Sequence, residues 1–169
     1  MLNYPGYEVS GLENIPDDSP ALIVYYHGAI PIDLYYFISK TFLFKNRLIH
    51  TVADRFLFKM PGMKLPVIPI FTQNLREAFR TVGFGRRLWL KLYSLTRFPL
   101  IPIYGGFPVK LRTHIGKPIP YNGSLTPEQL QIKVAHAIEE LIEEHQRIPG
   151  SILLALIERV YQIPKKKAK

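Results

Sequence analysis

The chain has no cysteine. That excludes disulfides, thiolate metal sites and a thiol nucleophile, and it leans toward a protein facing the cytosol. Acids are nearly missing from its middle: residues 65–117 hold nine Lys/Arg and one acid, Glu77. Long apolar runs are missing as well. The most apolar region, 21–44, is broken by His27, Pro31, Asp33 and Lys40, whereas a membrane span needs about 20 mostly apolar residues. The start, "MLNYPGYEVSGLENIPDD", is acidic and turn-rich, so no signal peptide is expected. There is no G-x-S-x-G elbow and no HExxH. Gly83 and Gly85 lack a third glycine, and the five histidines lack metal-ligand spacing. Zinc, P-loop chemistry and a bound metal are therefore not expected. No internal repeat is visible.

What is there suffices for one domain. A chain of 169 residues at 47% hydrophobic can bury a real core. Its net charge of +9 is uneven: residues 1–20 hold four acids and no base, 118–148 turn acidic again, and the end "PKKKAK" is basic. The basic middle suits an anionic partner such as lipid headgroups or phosphates, and equally a plain solvated face. No nucleic-acid motif accompanies it, so nucleic acid is not an expected partner.

Residues 1–20 read as a loop leading into a domain over 21–163, with a basic tail at 164–169. "ALIVYY" predicts a buried strand, and "DLYYFISKTFLF" a helix with Pro31 and Asp33 at its first turn. "RLIHTVA" (47–53) and "LPVIPIF" (65–71) predict further strands, Pro66 and Pro69 limiting the second to partial pairing. "NLREAFRTVG" and "RRLWLKLYSLTRF" read as helices. In the second, Leu88, Leu92 and Leu95 form a stripe beside Trp89 and Tyr93, which fits a core-facing helix or an interfacial membrane helix. "GFPVKLRTHIG" alternates as a strand. "LTPEQLQIKVAHAIEELIEEHQ" is the clearest helix: Thr126 caps it, Pro127 opens it, Gln129 completes a capping box and Leu125 staples onto Leu130. "SILLALIERVYQI" is a short apolar helix that needs burial in protein or bilayer. Strand, helix and strand in this order predict an α/β domain, a central mixed sheet flanked by helices.

One stretch carries candidate chemistry. "YYHGAIPIDLYYF" sets His27 and Asp33 in apolar surroundings, at the carboxyl end of a strand and the first turn of the next helix, where crevices of α/β sheets lie. Asp33 could accept from one ring nitrogen while the other serves as a general base toward a substrate hydroxyl. The spacing alone fits a second reading somewhat better: a polar strand–helix junction, with Asp33 favoured by the helix dipole alone.

Four stretches carry a resemblance: "YYHGAIPIDLYYF", "VADRFLFKMPG", "PVIPIFTQNLREAFR" and "YGGFPVKLRTHIGKPIPY". Together they resemble the glycerolipid acyltransferase (PlsC-like) family over most of residues 20–160. The resemblance implies acyl transfer from acyl-CoA, as co-substrate, to a glycerolipid hydroxyl, with His27 as base and Asp33 as orienter and no bound cofactor. It implies that Gly28, Pro69 and Phe71 line the substrate site. It also implies a membrane lipid partner at the cytosolic face of the endoplasmic reticulum, where Lys166 and Lys167 match a dilysine retrieval pattern. Three departures stand out. Five residues, not the family's usual four, separate His27 from Asp33. The family's glycine-rich third motif is absent where Met63-Lys64 run into Leu65-Pro66. No membrane segment is expected in residues 1–20, ahead of the first motif, where the family usually has one. The chain thus reads as an internally shortened form, and the alternative to an enzyme is an inactive lipid-binding fragment.

Overall fold

Short apolar runs bounded by turn residues build the sheet. In the computed structural model, which describes residues 6–26, 28, 30–50, 64–81, 86–97 and 103–161, the chain order is β1 (Tyr7–Ser10), a 3-10 turn (Leu12–Asn14), β2 (Leu22–Tyr26), α1 (Ile32–Lys45), β3 (Val67–Gln73), α2 (Leu75–Ala78), β4 (Phe79–Thr81), α3 (Arg86–Thr96), β5 (Ile103–Gly105), β6 (Leu111–Ile115), α4 (Pro127–His145) and α5 (Ile152–Ile157). Four strands form one sheet in the order β1-β6-β3-β2. β1 runs parallel to β6 and β2 parallel to β3, while β3 and β6 are antiparallel. β4 and β5 form a separate antiparallel pair. The expected α/β class, a mixed sheet flanked by helices, is what forms.

Strand alternation sorts the core into two faces. One carries Tyr7, Ile23, Tyr25, Ile68, Ile70, Leu111 and Ile115 and packs with Phe37 of α1. The other carries Leu22, Val24 and Val67 and packs under Leu130, Val134 and Ile138 of α4. α4 has the cap its sequence specifies: Thr126 accepts from the Gln129 N–H while the Gln129 side chain accepts from the Thr126 N–H.

Pro69 sits in a strand paired on both sides, and the sheet accommodates it by position. Its carbonyl accepts from Gly116 at 2.8 Å, so its missing N–H faces β6. There the β3–β6 ladder runs only from Ile70 onward, and pairing resumes at the Val67–Ile119 bridge. The lost donor falls in the gap.

Several elements differ from expectation. Tyr7–Ser10, read as loop, is an edge strand. Tyr7 and Val9 match Leu111 and Thr113 in register, and Glu8 pairs with Lys110 and Arg112. "NLREAFRTVG" is helical only over Leu75–Ala78; Phe79–Thr81 pair with Ile103–Gly105 instead. Arg47–His50 is irregular, because the Arg47 guanidinium donates to the carbonyls of Pro16 and Ser19. The rest of that expected strand, residues 51–53, lies outside the described residues. α3 does not face the core: Leu88 and Leu95 are exposed. α5 buries Ala155 but exposes Leu153, and a polar cluster lies at its end. In that cluster Glu158 accepts from Asn74 and Arg147, each at 3.2 Å, and Gln146 donates to Glu77 at 3.4 Å.

Candidate functional site

β2 and β3 run parallel, so their carboxyl ends meet at one edge of the sheet. Asp33 stands at this edge, in the first turn of α1, and is 2% exposed. The helix capped at Pro31 offers it the partial positive charge of the amino terminus. Its burial follows from α1's inner stripe, since Asp33, Phe37 and Thr41, four residues apart, are the buried residues of the helix. His27, its expected partner, lies outside the described residues.

Two tyrosines feel the Asp33 carboxylate. Burial pushes the Tyr7 phenol up; its bond to Thr113 pulls it back, and the negative charge of Asp33 adds to the rise. Burial, then Asp33, raise Tyr25 in the same way. Behind Tyr7 runs a chain of hydroxyls across three strands. Tyr7 Oη lies 2.8 Å from Thr113 Oγ1, which lies 2.9 Å from Thr72 Oγ1. Sequence reasoning missed this chain. Its one signal was Thr113 standing in the buried register of an otherwise apolar alternation.

The remaining expected site residues are placed as follows. Gly28 rests on Leu75: a Cβ there would meet Leu75 Cγ at 2.9 Å, so the loop after β2 is pressed against the start of α2. Pro69 and Phe71 are buried. By alternation they share the face of Val67, under α4, whereas Tyr25 and Thr72 occupy the face toward α1. The site residues of β3 and the acid of α1 therefore belong to opposite faces of the sheet. Arg76, exposed, donates to Tyr26 Oη with its guanidinium 5.2 Å from the ring centroid, which sets a cation at the same edge.

A second titratable cluster lies under α4. His114 and His145, 31 residues apart and without metal-ligand spacing in the sequence, stack face to face with centroids 3.6 Å apart and planes 3° from parallel. Ser10 Oγ lies 2.8 Å from His114 Nδ1 and Gln73 Oε1 lies 3.5 Å from its Nε2. Among the described residues no group of three His, Asp or Glu is placed to hold a metal ion. No helix among them is long and apolar enough to cross a membrane.

Known proteins were compared with this geometry in hand. No family model matches the chain. No solved structure matches it. The chain is 42% identical to a human protein named "DGAT1/2-independent enzyme synthesizing storage lipids", over 217 residues that take in 92% of this chain and 67% of that protein. Bovine and mouse proteins of the same name are 41% and 40% identical, over 91% and 93% of this chain and 64% and 66% of their own lengths. The chain thus spans about two thirds of the length of these relatives. Since 92% of 169 residues is about 155, about 62 of the 217 aligned positions have no residue in this chain.

Proposed function

The chain belongs to the family of the DGAT1/2-independent enzymes synthesizing storage lipids, and on that premise we propose that it is a membrane-associated acyltransferase of the PlsC-like kind. It moves an acyl group from acyl-CoA to the hydroxyl of a mono- or diacylglycerol. Asp33 accepts from one nitrogen of His27, and the other nitrogen takes the proton of the acceptor hydroxyl. The hydroxyl oxygen bonds to the thioester carbonyl carbon, the carbon–sulfur bond breaks, and the proton passes from the imidazolium to the departing CoA thiolate. Arg76 supplies a cation at this edge for CoA phosphates. The cytosolic face of the endoplasmic reticulum, with Lys166-Lys167 as retrieval signal, is the proposed location; these lysines lie outside the described residues.

The observation that carries the reading is the burial of Asp33 in the first turn of the helix following "YYHGAIPI", in a chain 42% identical to a storage-lipid-synthesizing enzyme. The test is acyl transfer from radiolabelled acyl-CoA to mono- and diacylglycerol in detergent micelles, with the chain and with His27→Ala. A positioned base contributes about 10²–10⁴-fold, and equal product from both proteins would remove the dyad. A second reading, an inactive lipid-binding fragment, is favoured by the 62 or so aligned positions that this chain lacks. It expects vesicle binding with no product from either protein.

A further inference from the structure

Much of the apolar surface of α3 is exposed among the described residues. At about 100° per residue, Leu95, Leu88, Leu92, Trp89 and Tyr93 span one broad arc of the helix, while Arg87, Lys91 and Ser94, with Leu90 beside them, hold the narrower opposite side. In a soluble domain such an arc turns inward. Here Leu88 is 66% exposed, Tyr93 46% and Leu95 74%, while Trp89 and Leu92 are half-buried. The charge around it has one sign. Residues 78–127 contain eight Lys/Arg and no Asp or Glu.

We propose that α3 is an interfacial docking helix for an anionic lipid surface. It lies in the plane of the bilayer, with Leu88, Leu92, Leu95 and Trp89 at the acyl boundary and Arg87, Lys91 and Arg97 among the headgroups. Leucine and tryptophan on one face and cations on the other match the two demands of that environment, apolar depth and opposite charge. A protein partner fits less well. An 11-residue helix is about 16 Å long, so a single face of it falls short of the ~800 Å² per partner of a standard protein interface. The proposal does not depend on acyl transfer: lipid docking through α3 stands or falls whether or not the chain turns over a substrate.

Trp89 is the only tryptophan of the chain and lies on the docking face, so its emission reports on α3 alone. The experiment titrates the whole chain with vesicles of phosphatidylcholine, and with vesicles containing one-third phosphatidylserine, following Trp89 fluorescence and co-sedimentation together. The expected result is a blue shift with saturable binding, tighter on the anionic vesicles and weakened by salt. Arg87→Gln/Lys91→Gln, both exposed, is expected to keep its circular dichroism and to bind anionic vesicles ~30-fold more weakly. Leu88→Gln/Leu95→Gln is expected to lose the shift on both. Should that variant fail to fold, the charge variant carries the test. Co-sedimentation without a Trp89 shift overturns the proposal, because another element then docks. No binding to either vesicle overturns it as well, and leaves the face to a protein.

Discussion

Acidification is expected to loosen the α4 face through His114. Burial first, then the neighbouring His145 and the Arg112 cation, hold the His114 imidazole down at about 4, from an ordinary 6.5, with Glu8 pulling weakly the other way. The unfolded chain therefore takes up a proton between pH 6.5 and about 4 that the folded chain refuses. The contribution is whole above 6.5 and is lost progressively as the pH falls toward 4. At full strength a drop of this size corresponds to about 3.4 kcal/mol. The ring is only half-buried, and water screening reduces the figure by about half, to about 1.7 kcal/mol, of which about 1 kcal/mol is lost by about pH 5. Other groups around the stack are Ser10, Gln73 and Glu144, the last 3.8 Å from His145. Glu8 does not blur the interval. Burial raises its carboxyl, but Lys110 and Arg112 bring it below 4.5 on balance, so its own contribution persists above that value and is lost only at lower pH. Urea unfolding at about pH 7.5 and about pH 5 measures the effect, with His114→Gln as reference. The native chain is expected to lose about 1 kcal/mol more than the variant. Equal losses in the two proteins would refute the reasoning.

Three further outcomes follow from the geometry. Thr113→Val strips the hydroxyl that joins Tyr7 to Thr72 and leaves two buried oxygens short of a partner; chemical denaturation should show a loss of about 1–3 kcal/mol. Thr126→Ala breaks the capping box of α4 and should cost about 1 kcal/mol, read as a lower Tm, with Thr126→Ser restoring most of it. Asp33→Asn keeps the shape of the buried side chain but removes its charge; if it orients the base, kcat for acyl transfer should fall by about 10²-fold or more with KM little changed, and an unchanged kcat would dismiss that role.

How far the sequence could be read depended on the range of the forces involved. α1 and α4 were legible because their signals are local: Pro31 with Asp33 at one start, Thr126-Pro127 with Gln129 at the other. β1 and β4 were not, because their partners lie far along the chain. Tyr7 pairs with Leu111, and Phe79 with Gly105. "NLREAFR" has the composition of a helix, yet pairing with Ile103–Gly105 decides the state of its second half. The stripe of α3 was read correctly as a stripe and, in its core-facing form, assigned to the wrong side. Periodicity shows that a helix has an apolar face; it carries no information on what covers that face. The same limit hid the candidate site. Asp33 was visible as an acid in apolar company, whereas the Tyr7–Thr113–Thr72 chain behind it exists only once three strands are in register.

α1 combines these threads, because its polarity runs against the usual order. Its inner stripe holds Asp33 at 2% exposure and Thr41 at 0% on either side of the buried Phe37, while Tyr35 and Leu43 on the outside stand at 68% and 73%. For stability alone the opposite arrangement would serve better, since a buried acid carries a desolvation cost and an exposed leucine forgoes the gain of burial. The proposed function accounts for both departures. An orienting acid has to stand at the carboxyl edge of β2, and an apolar exterior suits a neighbour other than water. The α4 face shows no such tension: its stripe is covered, and Glu158, Arg147, Asn74 and Gln146 close its end. On the proposed function, the two faces separate folding from activity. A chain with normal urea stability and an intact His114 titration, but no acyl transfer, would place the defect on the α1 side and not in the sheet or its α4 layer.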